Sequence, residues 1–451
     1  MFEFNAFFLL NLFVLVLLVV EAVRKLDRTW SRPALIVYFT IGFWYFYEIT
    51  QNGILYYNLK FGFDLVEGSL LQVLTFLLVF RGYLAFLPEY ERNPEANLFF
   101  VDEQQRLDFE KKVFTSVFAV WAFLTLIGLW MLDGDFFSIF FPPLSSDPQF
   151  IWSRGAVGTK FDFLISICGY CHVAAVGMLG IQFVTFYSSN LRYLSLILFL
   201  IAIEAYLFQR ARSGILAVIL PGVFSYIFIS RDAFAKKAVI LTTLLIVISG
   251  WFAFIQSNRE KGSASIVKAL NSEPQVQAGP ENRTDVNMFE ELCYIRSFLT
   301  TRVMTEEWGE SYLAELAAFV PRGIWKDKPM IGINYAIMRG FGGSGVDHGV
   351  FATISRGMIG QGVCNFGDIL GPAAAALLMG IWVQILAKLW SQRYLQHRLA
   401  LFLIGLGLTF NMGRDITSLV LFPFLFAYLG VLFFEFVNPQ LNAPRNPHAS
   451  A

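Results

Sequence analysis

Eleven apolar runs constrain what this chain can fold into more than any other feature of its sequence. They lie at about residues 6–22, 34–52, 67–87, 113–132, 161–187, 191–208, 214–230, 238–256, 369–390, 399–412 and 416–437. Runs of about 18 or more apolar residues are typical of helices that cross a membrane. The chain has 56% hydrophobic residues, among them 49 phenylalanines, and the core of a soluble protein of this length could not bury so much apolar surface. We therefore predict an all-α, polytopic membrane protein.

The spacing of the runs divides the chain into four regions. We expect an N-terminal membrane region of about eight spans, a large and partly helical loop, a C-terminal membrane region of about three spans, and a tail. Their bounds are 1–256, 257–368, 369–437 and 438–451. The first run is too long for a cleaved signal peptide and no small-residue cleavage site follows it, so we expect it to be the first span.

The distribution of lysine and arginine predicts how the spans are oriented. With the N-terminus outside, the inner segments carry seventeen basic residues. The short outer segments carry six, namely Lys60, Arg154, Lys160, Arg210, Arg212 and Arg414. Basic residues favour the cytoplasmic side of a membrane. We therefore expect an outer N-terminus, an inner C-terminus and an extracytoplasmic large loop.

The balance of 34 basic and 34 acidic residues indicates no nucleic-acid partner.

Three of the outer cations lie at the ends of spans. Arg210 and Arg212 belong to the stretch QRARSG, and Arg414 precedes Asp415 in the last short outer segment. A single arginine at a span end can extend its side chain to lipid headgroups. Three on one face, next to a loop that carries more, favour an anion-binding site instead.

The large loop adds further candidates. MFEELCYIRSFLTTRVMTEEW (288–308) is predicted to be an amphipathic helix with Arg296 within its apolar stripe, paired either with an acid or with a ligand. FVPRGIWKDKP (319–329) places Arg322 and Lys328 between two prolines, which suits a fixed anion site. The glycine-rich RGFGGSGVDHG ends in Asp347 and His348, which could act as a general base or belong to a plain flexible loop.

Three short motifs are set aside. GFGGSG (340–345) matches a nucleotide-binding pattern, but no strand precedes it. CGYCH (168–172) matches a haem-attachment pattern but lies inside a span, where small packing residues are the better interpretation. NRT (282–284) is a glycosylation pattern that has meaning only in a eukaryotic secretory setting. The few histidines and cysteines show no metal-ligand spacing, so we expect neither a metal nor a soluble cofactor.

Arginines at an outer membrane face, together with one or two acids, suit an anionic lipid head such as a diphosphate. Their charge would stabilise diphosphate as a leaving group, and a carboxylate or histidine would deprotonate an attacking hydroxyl. This chemistry is glycosyl transfer from a polyprenyl-diphosphate sugar.

Several stretches resemble the Wzy polymerases of bacterial O-antigen and enterobacterial common antigen. They are ARSGILAVI (211–219), YIRSF (294–298), FVPRGIWKDKP (319–329), FNMGRDITS (410–418) and the spacing of eleven positions from Arg356 to Gly367. The resemblance covers mainly 205–435. Two departures are the lack of an acid after the arginine of IRSF and a lysine in KDKP where the family can have arginine.

The resemblance implies a function and a set of site residues. The reaction would be inverting polymerisation of undecaprenyl-diphosphate-linked oligosaccharides at the periplasmic face of a bacterial inner membrane, in contact with membrane lipid and a chain-length regulator of the Wzz type. The diphosphate and sugar contacts would be Arg212, Arg296, Arg322, Arg356 and Arg414. Asp415 would be the base or would orient Arg414, the role that we favour, with His348 or Asp347 as the alternative base.

Two other functions remain open. An O-antigen ligase, which transfers finished glycan to lipid A core, would depend on a loop histidine such as His348 and could do without Asp415. A flippase or transporter of lipid-linked sugars would need charged groups along a path through the bilayer. The cations here gather at one side, which favours a surface site.

Overall fold

The computed structural model describes residues 5–90, 103–140, 152, 162–207, 212–230, 232–257, 287–317, 320, 324, 325, 327, 329, 335, 338, 339 and 354–438. Within these residues the chain is all-helical, with no strand. The membrane-region helices before the loop are α1 Ala6–Arg24, α2 Ser31–Ile41, α3 Tyr47–Asn52, α4 Ile54–Phe61, α5 Phe63–Ala85, α6 Glu103–Met131, α7 Phe136–Phe140, α8 Asp162–Thr185, α9 Ser189–Leu207, α10 Arg212–Ile229 and α11 Phe234–Ser257. The later helices are α12 Met288–Thr300, α13 Glu310–Leu316, α14 Met358–Ser391, α15 Gln396–Met412 and α16 Ser418–Val437.

The polytopic character predicted from the apolar runs is confirmed. Eight helices in the described part of the chain are long and apolar enough to cross a membrane. Their outer faces carry large apolar side chains that no other described part of the protein covers, for example Phe13, Leu126 and Val239. Such faces are stable only against lipid, because water would not tolerate so much exposed apolar surface.

Three of the eleven predicted spans correspond to shorter or interrupted helices. The run at 34–52 forms α2 and α3 joined by a π-helical turn, Gly42–Phe46. The run at 214–230 lies in α10, and the run at 399–412 lies in α15, which has 17 residues. All three are helical, but the total of eleven spans stays a prediction.

The helix predicted over 288–308 is shorter than expected. Asn287 caps the start of α12, since its side-chain Oδ1 accepts the backbone N–H of Glu290 at 2.9 Å, and the helix ends at Thr300. Arg302 and Trp308 then adopt positive φ angles of 55° and 47°, which an α-helix cannot accommodate. The apolar stripe ends with the helix, because Val303 is 63% exposed.

α14 is two helices separated by a sharp break. Gly367 has φ 74° and ψ −176°, a conformation that is open essentially to glycine alone. The first part, 358–366, folds back against the second. A Cβ added to Gly362 would lie 2.3 Å from the carbonyl oxygen of Gly371, so only glycine permits this approach.

The short helix 358–366 is the centre of the bundle at the end where α12 packs. Met358, Ile359, Val363 and Cys364 are fully buried in the main hydrophobic cluster, together with residues of α2, α5, α12 and α15. Burial of this kind fixes the helix against its neighbours. We call this end of the bundle, where α12, helix 358–366 and the segment after α15 meet, the loop end.

Candidate functional site

Residues 410–417, between α15 and α16, are held from several sides. The Trp44 indole N–H donates to the Phe410 carbonyl at 2.9 Å, and the Gly413 carbonyl accepts the backbone N–H of Met358 at 3.2 Å. The Gln361 side chain clamps the backbone of Ile416, donating from Nε2 to its carbonyl at 3.1 Å and accepting its N–H at Oε1 at 3.0 Å. These contacts fix the two side chains in between, those of Arg414 and Asp415.

Asp415 is bonded to the residues that precede helix 358–366. Its Oδ1 accepts the backbone N–H of Arg356 at 3.1 Å, and its Oδ2 accepts the hydroxyl of Ser355. The side chain is partly buried, and this loss of hydration raises the pKa of the Asp415 carboxyl to about 6. Ser355, Arg356 and Arg414 each act to lower the pKa, but they do not offset the burial. Each carboxylate oxygen keeps a lone pair for a further donor.

Arg356 is a structural cation. It is 4% exposed, and its Nη1 donates to both carboxylate oxygens of Glu307, at 2.9 and 3.2 Å. The charge of its guanidinium is therefore already balanced within the protein. Arg356 acts on Asp415 both through the charge of its guanidinium and through its backbone N–H, and both lower the pKa of the Asp415 carboxyl.

Arg414 differs from Arg356 in having no such partner among the acids that the structure describes. Its Nε is buried and has no hydrogen-bond partner among the described residues, and no ion pair within 4.0 Å joins it to a described acid. The Arg414 charge nevertheless lowers the pKa of the Asp415 carboxyl, and the expectation that Asp415 orients Arg414 stays a prediction. A partly buried guanidinium that no described acid pairs with is suited to an anionic ligand.

The loop after α12 closes the break in α14. The backbone N–H groups of Glu307 and Trp308 donate to the carbonyls of Cys364 and Asn365, at 2.9 and 2.8 Å. Because the break at Gly367 removes the next helical turn, these carbonyls would otherwise lack partners. The same loop thus satisfies the broken helix and places the Glu307 carboxylate on Arg356.

Arg296 belongs to a separate cluster at the other end of helix 358–366. Its Nε lies 3.8 Å from Asp368 Oδ2, too far for a hydrogen bond, and has no other partner in the described residues. Asp368 also accepts the amide of Gln72 at 2.8 Å. The Arg296 guanidinium occupies the space beside Gly68, where a Cβ would lie 1.2 Å from it. Helix 358–366 separates this cluster from Asp415 by roughly 14 Å of helical rise.

Arg212 is the first residue of α10, and a hydrogen bond to the next residue, Ser213, shows where the helix starts. The Asn411 side chain donates to the Ser213 carbonyl at 3.1 Å, so the start of α10 lies beside the segment that carries Arg414. The described end of QRARSG, residues 212–214, is therefore next to the stretch FNMGRDITS. The other predicted site residues, Arg210, Arg322, Lys328, Asp347 and His348, lie outside the described residues.

Sequence reasoning missed four residues that build this site. Ser355 and Glu307 contact the predicted residues Asp415 and Arg356, while Tyr45 and Gln361 hold the backbone around them. The Tyr45 hydroxyl accepts the Ile359 N–H at 2.8 Å. No sequence pattern marks these residues. Gly367, in contrast, was marked by its spacing from Arg356.

We expect Gly367→Ala to destabilise the loop end. An alanine at φ 74° and ψ −176° is strained by about 1–3 kcal/mol. The added methyl group would also lie 3.4 Å from Glu306 Oε1. The measurement is the midpoint of thermal unfolding in detergent. Gly430→Ala is the control, because a Cβ there meets no atom within 4 Å. Equal midpoints for the two variants would show that the break is not a fixed feature.

The described residues hold no group of three or more histidines, cysteines, aspartates or glutamates that could bind a metal ion, and the cysteines are free thiols.

Comparisons of the chain with protein-family models, with curated proteins and with solved structures find no match. The resemblance to the Wzy polymerases therefore rests on the sequence stretches named above.

Proposed function

We propose that this protein is a glycosyltransferase that polymerises oligosaccharide repeat units carried on undecaprenyl diphosphate. One observation carries the proposal. Arg414, which forms no ion pair within 4.0 Å with a described acid, and Asp415, a carboxylate with a raised pKa, are adjacent in one hydrogen-bonded segment at the loop end of the bundle. An anionic leaving group needs a cation to stabilise it, and a hydroxyl that must lose a proton needs a base, so these two residues supply both groups that the reaction uses.

The reaction is a single displacement at the anomeric carbon of the donor sugar. The bond from that carbon to the diphosphate oxygen breaks, and a bond to the acceptor hydroxyl oxygen forms on the opposite face, which inverts the configuration. The hydroxyl proton passes to Asp415. The electron pair of the broken bond leaves with the diphosphate, whose charge Arg414 stabilises, with Arg212 at the neighbouring start of α10 as the second cation.

The raised pKa of Asp415 fits the role of a base. A carboxylate with a pKa of about 6 is mostly ionised at neutral pH yet binds a proton more readily than an ordinary aspartate. Ser355 and the Arg356 N–H keep the carboxylate in one orientation, so it need not reorganise as it accepts the proton. We therefore assign the base to Asp415 rather than to Asp347 or His348.

The proposal places the loop end at the periplasmic face of a bacterial inner membrane. The support is the bias of basic residues toward the other ends of the spans. The apolar spans would hold the polyprenyl tail, and the loop would cover the saccharide. A chain-length regulator in the same membrane would be the protein partner.

A reconstituted reaction tests the function. We expect the purified protein in lipid vesicles to convert an undecaprenyl-diphosphate oligosaccharide into a ladder of longer lipid-linked products, because one such molecule can serve as donor and another as acceptor. Arg212→Ala should remove the ladder while the protein stays folded in the membrane. Gel electrophoresis of the labelled glycan is the measurement.

Two further arms separate the other functions. If product forms only when lipid A core is added, and requires His348, the protein is a ligase. If the substrate crosses the vesicle membrane without covalent change, the protein is a transporter. A normal ladder from the Arg212→Ala variant would show that the site has been assigned to the wrong residues.

A further inference from the structure

A cavity of about 160 Å³ lies among the helix ends opposite to the loop end. It is bounded by the starts of α6 and α15 and by the ends of α8 and α10. α15 runs from this cavity toward Asp415, so its 17 residues separate the two by about 24 Å. The cavity is therefore distinct from the candidate site described above.

The cavity has an apolar wall and a small polar set. Phe109, Val113, Met178 and Ile181 form much of the wall. The polar lining includes Arg106, Gln182, Thr185, Gln396 and His397. An apolar wall with a few convergent polar groups is typical of binding sites for amphiphilic small molecules.

Two of the polar residues are buried with an atom left unbonded. Gln182 is 1% exposed; its Oε1 accepts the hydroxyl of Ser195 at 3.2 Å, while its Nε2 has no partner among the described residues. His397 is 4% exposed; its Nε2 lies 2.7 Å from Glu435 Oε1, while its Nδ1 likewise has no described partner. Buried polar atoms are rarely left without a partner, because an unmade hydrogen bond costs about 1–3 kcal/mol.

The two unbonded atoms are complementary in their hydrogen-bonding roles. Glu435 also accepts two hydrogen bonds from Arg398, so its carboxylate is ionised and accepts the Nε2–H of His397. The neutral ring then leaves Nδ1 as an acceptor. The Gln182 Nε2 is a donor. A ligand hydroxyl can satisfy both, because it accepts one hydrogen bond and donates another.

Arg106 adds a cation to the cavity lining. Its guanidinium stacks on the Tyr187 ring at 3.6 Å, and its Nε donates to Glu110 at 3.3 Å. The Glu110 carboxylate also accepts the backbone N–H groups of Tyr187 and Ser188, at 2.8 and 3.0 Å. Among the described residues Glu110 bonds only the Nε of the Arg106 guanidinium, so the Nη donors of the guanidinium remain for hydrogen bonds to a further anionic group.

We propose that this cavity binds the hydroxyl-bearing headgroup of an anionic glycerophospholipid, of the phosphatidylglycerol type, from the leaflet at this end of the bundle. The headgroup hydroxyl bonds Gln182 and His397, its phosphate lies toward Arg106, and an acyl chain follows the apolar wall. The site does not depend on the glycosyltransferase function.

Native mass spectrometry of the full chain in detergent tests this site. We expect dioleoyl phosphatidylglycerol to bind in a one-to-one complex at least tenfold more tightly than dioleoyl phosphatidylethanol, which has the same charge but lacks the hydroxyl. Free glycerol phosphate should not compete at the same concentration. Equal binding of the two lipids would overturn the role of the hydroxyl, and equal binding of glycerol phosphate would identify a soluble ligand instead of a lipid.

Two variants locate the binding. Gln182→Leu removes the amide donor, and Val113→Phe fills the cavity without removing a polar group; each should weaken phosphatidylglycerol binding at least tenfold. Val239→Phe, on an exposed lipid-facing position, is the matched control and should bind as the parent does. Since Gln182→Leu also removes the bond to Ser195, Val113→Phe decides the outcome if the first variant fails to fold. Unchanged binding in Val113→Phe would refute the site.

Discussion

Replacing Asp415 by asparagine should lower the rate of polymerisation by about 10²- to 10⁴-fold, the usual contribution of a general base. Asparagine has the size of aspartate but cannot accept the proton of the acceptor hydroxyl. Its Oδ1 can still accept the Arg356 N–H, and its amide can donate to the Ser355 hydroxyl, so the fold should persist. Initial rates of ladder formation and the midpoint of thermal unfolding measure the two effects.

The pH dependence of the rate supplies a second readout for Asp415. Because the pKa of its carboxyl is about 6, activity should fall as the pH drops through 6, whereas an ordinary aspartate would lose activity nearer 4. Burial favours the protonated form of this group in the folded protein. Protonation of Asp415 therefore stabilises the fold as the pH falls from 6 toward 4, so unfolding through this group does not explain the lost activity.

Ser355→Ala is the matched control for Asp415→Asn. It keeps the carboxylate but removes a hydrogen bond that lowers its pKa, so the acid limb of the profile should move above 6 while activity remains measurable. If Asp415→Asn keeps the parent rate, Asp415 is not the base, and Asp347 and His348 become the residues to vary.

The sequence predicts much of the helical architecture because apolar length alone identifies a membrane span. The runs containing Leu126 and Val239 fall on helices whose large apolar faces remain exposed. Helix ends are harder to predict, because α12 stops at Thr300, where a turn with Arg302 at positive φ begins. The residues after that turn, Glu307 and Trp308, dock onto the carbonyls of Cys364 and Asn365, a long-range contact with no local pattern.

The site was predictable in its residue types but not in its pairings. The arginines of QRARSG, IRSF and FNMGRDITS stand out by their position next to apolar runs. Whether each predicted site arginine is balanced by an acid depends on tertiary contacts. These contacts separate the arginines that have an acidic partner from those that do not, and Arg356 belongs to the predicted set as well. Arg356 is neutralised by Glu307, while Arg296 lies near Asp368 at the far end of helix 358–366. Only the fold distinguishes a structural cation of this kind from one that is available to a ligand.

Arg414 and Arg356 should therefore respond in opposite ways to the same substitution. Arg414→Gln should reduce the rate about 10²- to 10³-fold, the usual effect of losing one group that stabilises a developing anion, with little change in stability. Its Nε has no described partner whose loss would weaken the fold. Arg356→Gln leaves Glu307 without its ion pair and should destabilise the protein by about 1–3 kcal/mol.

A compensating variant makes this contrast decisive. In Arg356→Gln/Glu307→Gln both charges are absent, so no unpaired carboxylate remains, and the midpoint of thermal unfolding should return most of the way to that of the parent. The double variant keeps the backbone N–H that Asp415 accepts, so it should also keep a substantial rate, while loss of the Arg356 charge should raise the pKa of the Asp415 carboxyl. Arg414→Gln has no such rescue, since the group that it would leave unpaired is the diphosphate of the substrate. A fall in stability for Arg414→Gln as large as that for Arg356→Gln would mean that Arg414 is structural and that the anion binds elsewhere.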